Sequence, residues 1–437
     1  NFEIQDLSDV DASYMTPYGK VVSKWKKNLK HLDWNITIPA NTTAIVYLPS
    51  DKAMIKEGGI PVSKAKDVKY LGKEGNFTCW EVGSGDYSFS VDMNVGLGAW
   101  RKGIVEDEFL YEKASFPSAH AATIVDTPTV LVASFFRGTK EVNPDVCIWV
   151  CRKTAEGWTA PQKVADGIMS DTLRKACYNP VLFQVPGGEL LLFFKIGKSV
   201  GDWTGYLIRS YDGGKTWTQR EELPKNILGP IKNKPVMIGN KLVCPTSTEG
   251  NGWKVHFEFT EDKGKTWSET QPINDGKTIN AIQPSILFHK DGSLQILCRT
   301  RNSAIAEAWS KDGGETWSEM KLIDLPNNNS GTDAVTLKDG RQVLIYNHVK
   351  TPKGAKKGAR TPLNIAVSKD GKKWFASLVL EDSPIGQYSY PSIIQGNDGY
   401  IHAIYTWRRQ RIKYMKIDPK QLKEVPIVNG QWPDLKK

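Results

Sequence analysis

Long hydrophobic runs and metal-binding patterns are scarce in this chain, and their scarcity excludes whole classes of protein. The longest apolar stretches, such as residues 130–136, are strand-sized and fall short of the roughly 20 residues of a membrane helix, so no membrane span is expected. The 437 residues include six cysteines and six histidines, without a CxxC pair or a zinc-type spacing. We therefore expect no metal and no cofactor. Most cysteines lie in apolar strand-like runs, and we expect them to be buried free thiols.

Acidic residues are outnumbered, with 48 Asp and Glu against 58 Lys and Arg, so the net charge is +10. Such a surplus suits a nucleic acid, an anionic polysaccharide or no specific partner. Because most basic residues are lysines dispersed over turns, we expect no nucleic-acid partner. The densest basic group, residues 350–360, is interpreted as a solvated loop.

Aromatic residues and turn formers are abundant, with 15 Trp, 38 Gly and 24 Pro, which is typical of sheet proteins and predicts an all-β fold. An eight-residue pattern repeats, as SYDGGKTW at 210–217, TEDKGKTW at 260–267 and SKDGGETW at 310–317. A shortened copy, SKDGKKW, follows at 368–374, and residues 152–158 resemble a worn copy. The tryptophans of these five copies are 59, 50, 50 and 57 residues apart, which is the length of a propeller blade.

The chemistry of the octet predicts a hairpin turn between two strands. Its Asp can accept backbone N–H groups, its Gly supplies a positive φ, and its Trp can pack against the turn. Strand-like segments flank each copy. We therefore predict a six-bladed β-propeller over residues 94–437, built from five turn-bearing units and a last unit at 389–418. Closure of the ring requires a strand near residues 109–113 to pair with the last blade.

The first 93 residues do not share this period. Residues 33–39 and 44–49 alternate around a polar turn, and residues 86–91 alternate as well, which is typical of antiparallel strands. We predict an antiparallel β-sandwich over residues 1–93, with a boundary in the glycine-rich segment that follows. Because the chain starts with Asn1 and shows no signal peptide, we expect a processed or excised form.

Two stretches resemble known families. The octet S-x-D-x-G-x-T-W resembles the Asp box of sialidases and related BNR-repeat proteins, over about residues 105–420. Residues 18–25, YGKVVSKW, and 38–49, IPANTTAIVYLP, resemble the C-terminal β-sandwich of bacterial α-L-rhamnosidases. The resemblances imply an oligosaccharide or polysaccharide substrate, an upstream rhamnosidase module, and a periplasmic or extracellular location in a bacterium with the signal removed. The Asp box is architectural in its family, so it supports the fold rather than the activity.

The sialidase resemblance also implies a site. Sialidases bind a carboxylated sugar with three arginines, use a Tyr nucleophile that a Glu activates, and protonate the leaving group with an Asp. An arginine matches a carboxylate with two parallel hydrogen bonds. Arg299, with Arg301 beside it, resembles the second arginine of the family, Arg360 resembles the third, and Tyr390 resembles the nucleophile.

Other positions depart from the family pattern. Gln283 stands where the family has its Glu, and His120 stands where it has the first arginine. Phe135 or Phe136 takes the place of the acid Asp. These departures argue for a substrate other than ordinary sialosides.

Further candidates come from the neighbourhood of these positions. The nearby acids are Glu141, Asp145 and Glu249, of which Glu141 and Glu249 are the candidates for acid or base. The further candidate substrate contacts are Arg137, Asp333 and Arg408. The aromatic residues outside the octets that could meet a ligand are Trp203, Trp253, Trp309 and Trp407.

Three hypotheses follow. The favoured one is an exo-acting glycoside hydrolase of the sialidase superfamily that removes a terminal acidic sugar, either sialic acid or a uronic acid. The second is a polysaccharide lyase, in which His120 abstracts the proton next to a uronate carboxylate and Tyr390 donates to the leaving oxygen. The third is a non-catalytic carbohydrate-binding propeller, which the missing Glu and Asp would fit.

Overall fold

The structure is a computed structural model, and it describes residues 8–27, 31–49, 54–74, 77–92, 100–112, 116–383 and 386–433. Strands make up nearly all of its regular structure, with short 3₁₀ segments at Val62–Lys64, Val200–Asp202 and Pro419–Gln421. In this part of the chain no helix has the length and apolar character to cross a membrane. The chain divides into two compact units, Asn1–Trp100 with Leu380–Gly386 and Arg101–Val379 with Gln387–Lys437. The predicted boundary between residues 93 and 94 lies outside the described residues.

The first unit is an antiparallel β-sandwich, as predicted. Its strands are β1 (Asp9–Thr16), β2 (Gly19–Lys27), β3 (His31–Ile38), β4 (Ala44–Leu48), β5 (Ile55–Glu57), β6 (Ile60–Pro61), β7 (Val68–Glu74), β8 (Phe77–Val82) and β9 (Gly85–Asp92). One sheet has the order β1-β2-β3-β9-β5-β6 and the other the order β4-β8-β7. Buried residues of both sheets, among them Leu32, Val46, Trp80 and Phe89, form one hydrophobic core. Successive side chains of a strand point to opposite faces, so the alternating pattern of the sequence gives each sheet one apolar face.

The second unit is a six-bladed β-propeller, as predicted. Strand β10 (Ile104–Phe109) comes first; blade 1 contains β11 (Ser118–Asp126), β12 (Leu131–Gly138), β13 (Cys147–Thr154), β14 (Gly157–Trp158) and β15 (Gln162–Ala165), and blade 2 contains β16 (Ala176–Gln184), β17 (Leu190–Gly197), β18 (Thr204–Ser210) and β19 (Glu221–Glu222). Blade 3 contains β20 (Val236–Ile238), β21 (Lys241–Thr248), β22 (Lys254–Thr260) and β23 (Ser268–Glu269), and blade 4 contains β24 (Ala281–Phe288), β25 (Leu294–Thr300), β26 (Ala304–Ser310) and β27 (Lys321–Pro326). Blade 5 contains β28 (Asp333–Thr336), β29 (Gln342–Tyr346), β30 (Leu363–Ser368) and β31 (Trp374–Glu381), blade 6 contains β32 (Tyr388–Gln395), β33 (Ile401–Trp407) and β34 (Arg411–Ile417), and β35 (Val425–Pro426) comes last.

The ring is closed by the strand that precedes blade 1. Strand β10 pairs antiparallel with β34, with Phe109 opposite Lys413, and the last sheet has the order β10-β34-β33-β32. This confirms the predicted closure, although the strand covers Ile104–Phe109 and ends where the predicted segment begins. Strand β35 pairs with β31 at the edge of blade 5.

The octets form the predicted turns after the third strands of their blades. In blade 2, Asp212 accepts hydrogen bonds from the backbone N–H groups of Lys215 at 3.0 Å and Thr216 at 2.9 Å, and from the Thr216 hydroxyl at 2.6 Å. In blade 3 the Trp267 indole N–H donates to the Gly264 carbonyl at 3.0 Å. The aspartate thus accepts hydrogen bonds from the turn in blade 2, and the tryptophan donates one to the turn in blade 3.

Apolar clusters fill the space between blades. One of them joins Val132 and Phe136 of blade 1 to Tyr178, Leu192 and Ile208 of blade 2. All six cysteines of the chain are free and buried, as predicted.

The strand order of a blade determines which loops share a face. In an antiparallel blade the start of the first strand lies at the same end as the loop between the second and third strands, whereas the octet turns lie at the opposite end. First strands of neighbouring blades, such as β11, β16 and β32, lie next to one another. We call the end that carries the loops between second and third strands the site face.

Candidate active site

Backbone bulges near the start of four first strands position the side chains of the site. The register of β11, β16, β24 and β32 shifts after residues 120, 178, 282 and 389. The next residue in each strand, Ala121, Asn179, Gln283 or Tyr390, has a positive φ between 38° and 57°. This conformation is strained for residues other than glycine, and bulges of this kind re-aim side chains next to functional sites. Proline follows three of these four residues, and its missing N–H marks the bulge in the sequence.

Tyr390 is the residue around which the site is arranged. Its hydroxyl accepts a hydrogen bond from Arg299 Nη1 at 2.7 Å, and the same nitrogen donates to Gln283 Oε1 at 3.3 Å. Gly331 passes so close that a Cβ there would lie 3.3 Å from the Tyr390 ring and 3.2 Å from Gln283 Oε1. The structure therefore brings together the predicted nucleophile, one predicted arginine and the glutamine that replaces the family's glutamate.

The charge around Tyr390 favours its ionised form. The guanidinium carbons of Arg299 and Arg360 lie 5.6 Å and 5.5 Å from the Tyr390 ring centroid. Burial raises the pKa of the Tyr390 hydroxyl, but Arg299 and then Arg360 more than offset this effect, so its pKa lies below the ordinary tyrosine value. Burial also lowers the pKa of Arg360, to about 10, so Arg360 stays a cation at neutral pH.

Arg301 lies at the outer edge of the same group. It is exposed, and its guanidinium carbon lies 4.1 Å from the ring centroid of Trp253. Arg299 contacts the same ring at 5.0 Å. Trp253 therefore links a buried arginine to an exposed one by cation–π contacts.

His120 packs directly against Tyr390. The ring centroids of the two residues are 4.3 Å apart, and His120 Nδ1 lies 2.9 Å from the Thr406 hydroxyl. Burial, reinforced by Arg409, Arg360, Arg299 and Lys232, lowers the pKa of His120 well below its ordinary value. The imidazole is therefore neutral at pH 7 and is surrounded by basic groups.

A buried lysine, Lys232, and a partly buried one, Lys234, adjoin these residues and were not predicted from the sequence. Lys232 Nζ donates to the carbonyl of Thr332 at 2.7 Å and to that of Pro391, and burial lowers its pKa to about 7. Lys234 Nζ donates to both oxygens of Asp333, at 3.0 Å and 2.9 Å. The available signal was the segment IKNKPVM, in which two lysines precede a proline at the start of a strand.

Asp333, a predicted substrate contact, is held by protein groups instead. Besides Lys234, its carboxylate accepts hydrogen bonds from the Ser285 hydroxyl at 3.0 Å and from the backbone N–H of Ile393 at 2.9 Å. The side chain is 1% exposed. We therefore assign Asp333 a positioning role between blades 3, 4, 5 and 6.

The two candidate acids, Glu141 and Glu249, and the nearby Asp145 have different surroundings. Glu141 Oε2 accepts a hydrogen bond from Arg409 at 2.6 Å, and its charge acts to raise the pKa of Tyr390 and of Arg360. Glu249 is exposed in the loop between β21 and β22, and it has no hydrogen bond or ion pair to another described residue. Asp145 accepts hydrogen bonds from the backbone and hydroxyl of Thr139. Glu141 is thus the candidate acid whose charge acts on these residues. We call Tyr390, Arg299, Arg360, Gln283 and His120 together the Tyr390 group.

The two phenylalanines at the place of the family's acid have different neighbours. Phe136 packs edge-on against His120 with ring centroids 5.6 Å apart, whereas Phe135 packs against Tyr111. Phe136 therefore supplies the apolar wall of the site.

Arg137 and Arg408 lie apart from the contacts of Tyr390. The Arg137 guanidinium carbon lies 5.5 Å, 5.1 Å and 4.5 Å from the rings of Tyr111, Phe116 and Trp149. Arg408 is buried and contacts the Trp407 ring at 5.4 Å. Both therefore pack against aromatic rings.

Among the four tryptophans outside the octets, Trp253 is the one that contacts the arginines of the site. The rings of the others pack elsewhere, Trp203 on Tyr178, Trp309 on His289 and Trp407 on Phe109.

The part of the chain that the structure describes contains one group with metal-ligand chemistry, formed by His256, Glu258 and Glu269 with ligand atoms within 4.8 Å of one another. Glu258 accepts backbone hydrogen bonds from Leu228 at 3.0 Å and from Gly229, at 2.6 Å. The Glu258 carboxylate is therefore already hydrogen-bonded by the backbone. The group lies on β22 and β23 and shares no residue with the Tyr390 group.

Comparisons with known proteins agree with this architecture. Residues 129–403, more than half of the chain, match the BNR repeat-like domain, and residues 2–60 match the bacterial alpha-L-rhamnosidase C-terminal domain. Over 259 residues the chain is 26% identical to an anhydrosialidase of Macrobdella decora, covering 52% of this chain and 33% of that protein. Over 180 residues it is 25% identical to a sialidase of Paraclostridium sordellii, covering 35% and 43%. The chain therefore spans less than half the length of these two curated relatives.

A solved structure shows the shared fold. A Hadza microbial sialidase superposes with a TM-score of 0.61 over 95% of this chain and 98% of that one, at 14% identity. The family match makes the chain a sialidase-like member of the BNR repeat-like domain family, and residues 2–60 resemble the bacterial alpha-L-rhamnosidase C-terminal domain.

Proposed function

We propose that this protein is an exo-acting glycoside hydrolase of the sialidase superfamily that removes a terminal acidic sugar, sialic acid or a uronic acid, from a glycan. One observation carries the proposal, namely that the Tyr390 hydroxyl is held by Arg299 at 2.7 Å while Arg360 lies near the ring. A tyrosine between two arginines combines a nucleophile with a binding place for a carboxylate. The relatives named as sialidases support the same superfamily.

Arg360 and Arg301 are assigned to bind the carboxylate of the sugar. Among the described residues, the Arg360 side chain has one hydrogen-bond partner, the Ser389 hydroxyl at 3.2 Å, so other N–H groups are left for a ligand. Arg301 is exposed and oriented by its stacking on Trp253. Arg299 is already used by Tyr390, Gln283 and Asn329, and it orients the nucleophile.

Arginine takes over the activating role that glutamate has in the family. Gln283 cannot accept the proton of Tyr390, but Arg299 and Arg360 lower the pKa of the hydroxyl and so increase the fraction of phenolate. The phenolate oxygen bonds to the anomeric carbon as the bond to the leaving oxygen breaks. Water then displaces the tyrosine and releases the sugar.

Glu141 is assigned as the proton donor. Arg409 engages Oε2, so Oε1 is the oxygen that can carry a proton to the leaving group. Its position in the loop between β12 and β13, on the site face, supports this assignment.

Sugar release from sialosides and from uronate-capped oligosaccharides tests the proposal. The wild type should release sugar from one of these classes, and Tyr390→Phe and Glu141→Gln should each lower kcat/KM by about 100-fold or more. Glu249→Gln, the same change in the equivalent loop of blade 3, should keep nearly full activity. Glycan binding by the wild type without any release would refute hydrolysis and indicate a non-catalytic binding propeller.

A polysaccharide lyase is the second candidate, and the neutral His120 favours it. Its ring lies 4.3 Å from that of Tyr390, so it could accept the proton next to a uronate carboxylate while Tyr390 donates to the leaving oxygen. Elimination needs protonated Tyr390, and Arg299 and Arg360 lower the pKa of this hydroxyl below the ordinary tyrosine value, so the contacts of Tyr390 support hydrolysis more than elimination. An ultraviolet-absorbing product with a new double bond would identify the lyase.

A further inference from the structure

The longest loop of the site face is strongly basic. Residues 347–362 connect β29 to β30, and the other loops between second and third strands are much shorter. This segment contains Lys350, Lys353, Lys356, Lys357 and Arg360 and has no acidic residue. We call residues 347–362 the basic rim.

Hydrogen bonds attach the basic rim to the site. The Gly358 N–H donates to the Asn328 carbonyl at 2.9 Å, and the Asn329 side chain donates to the Lys356 carbonyl at 2.8 Å. Asn329 in turn accepts from Arg299 Nε at 3.2 Å. The last basic residue of the rim, Arg360, lies close to the Tyr390 ring. The loop is therefore held beside the Tyr390 group at its middle and at its end.

The lysines of the rim carry charge that the protein does not neutralise. Lys350, Lys353, Lys356 and Lys357 are exposed, and none of them forms an ion pair with another described residue. Many other surface lysines are paired, for example Lys369 with Glu424 at 2.7 Å and Lys241 with Glu315 at 2.9 Å. A run of unpaired cations at the mouth of a site attracts anions and concentrates them there.

We propose that the basic rim binds the chain of a polyanionic glycan beyond its terminal sugar, a proposal that rests on the proposed function for the identity of the site. The recognised chemistry is a series of carboxylate or sulfate groups along the glycan. A single acidic sugar in the Tyr390 group is served by Arg360 and Arg301, so four further cations fit additional negative charges. The protein is then specific for acidic polysaccharides rather than for neutral glycans with one acidic end.

The composition of the rim favours a glycan over a nucleic acid. Sites for single-stranded nucleic acid combine basic residues with aromatic rings on which bases stack. Residues 349–362 contain no aromatic residue, and His348 is engaged with Tyr346 and the Gly430 carbonyl. The rim therefore offers charge without a stacking surface.

Binding of polymers to a triple variant tests the proposal. In Lys353→Gln/Lys356→Gln/Lys357→Gln, the affinity for polygalacturonate or for dextran sulfate should fall about tenfold at low salt and lose most of its salt dependence. The two polymers show whether carboxylate or sulfate is preferred. The control Lys215→Gln/Lys265→Gln/Lys311→Gln removes three exposed lysines from the opposite end of the blades and should bind like the wild type.

Three outcomes would overturn the proposal: equal loss of polymer affinity in both triple variants, uncharged dextran bound as tightly as the charged polymers, or single-stranded DNA bound more tightly than either polymer through the same lysines.

Turnover of a small glycoside of the terminal acidic sugar separates the proposal for the rim from the proposed hydrolase function. The rim variant should leave this turnover unchanged. Lost polymer binding in a protein without any turnover would uphold the rim and reject the hydrolase, whereas turnover with unaltered polymer binding would do the reverse.

Discussion

Arg299 of blade 4 donates a hydrogen bond of 2.7 Å to the hydroxyl of Tyr390 in blade 6, 91 residues further along the chain. The contact joins two blades, and the same arginine donates to Gln283, which stands where the sialidase pattern has a carboxylate. A carboxylate removes the proton of tyrosine, whereas a cation stabilises the phenolate after the proton has left. The pH dependence of the reaction should therefore report on Arg299.

Replacing Arg299 by glutamine should shift that pH dependence. Activity through the phenolate rises as pH increases through the Tyr390 pKa, and the variant loses the main effect that lowers this pKa. The rising limb of kcat/KM should move to higher pH, and kcat/KM at neutral pH should fall by roughly 100-fold. An ultraviolet titration of tyrosinate, with Tyr390→Phe as the reference, should show the same shift. Arg301→Gln is the matched control and should leave the pH of the rising limb unchanged. If Arg299→Gln also left it unchanged, Arg299 would not be the residue that lowers the pKa of Tyr390.

Replacing Gly331 by alanine should disturb the same pair sterically. The new Cβ would lie 3.3 Å from the Tyr390 ring and 3.2 Å from Gln283 Oε1, so the ring must move by a few tenths of an ångström. We expect kcat/KM to fall by between about 10-fold and 100-fold, with little change in Tm. Gly201→Ala is the control, because no atom lies within 4 Å of its added Cβ. Full activity of Gly331→Ala would show that Tyr390 tolerates displacement.

Much of the fold could be predicted from the sequence because its signals are local. The octet at 210–217 supplies both the acceptor and the donors of hydrogen bonds in its own turn, Asp212 with Lys215 and Thr216. The spacing of the octets then sets the number of blades. The number of blade-sized units predicted that a strand before blade 1 closes the ring. The bounds of this strand, β10, differ from the predicted ones by several residues, because its pairing with β34 defines them.

The site could be predicted in part, and the failures are long-range. Tyr390, Arg299 and Gln283 were found through family resemblance. Lys232 was missed because lysine is normally a surface residue, and its burial results from contacts with Thr332 and Pro391, at least 100 residues away. Arg137 was included because it is close in sequence to Phe136, but neighbouring residues of a strand point to opposite faces.

The aspartate of an octet should affect stability rather than activity. Hydrogen bonds from Thr216 and neighbouring groups outweigh the effect of burial and hold the pKa of Asp212 at about 2. Because this folded-state pKa is lowered, the stabilisation is complete above the ordinary pKa of about 3.9 and is lost as pH falls toward 2. Asp212→Asn should lower Tm at pH 7 without changing kcat/KM, and its Tm should approach that of the wild type on acidification. Asp171→Asn, at an exposed position, is the control; a Tm gap independent of pH would mean that the charge of Asp212 does not contribute.

The buried lysine of blade 2 should make stability rise with pH. Lys195 is fully buried and donates to the Pro230 carbonyl, and burial lowers its pKa to about 7 despite the opposing effects of Glu258 and Cys244. Between pH 7 and the unfolded value of about 10.4, the unfolded chain holds a proton that the folded chain has lost. The free energy of unfolding of the wild type should therefore rise relative to that of Lys195→Met, with a slope of up to about 1.4 kcal/mol per pH unit.

Urea unfolding of wild type and Lys195→Met at several pH values between 7 and 10 measures this difference. Titration of the buried cysteines and tyrosines cancels, because both proteins contain them. Lys215→Met, on an exposed turn, should show a gap that does not change with pH. A constant gap for Lys195→Met as well would mean that this lysine keeps its proton inside the fold, with the Pro230 carbonyl and Glu258 compensating its charge.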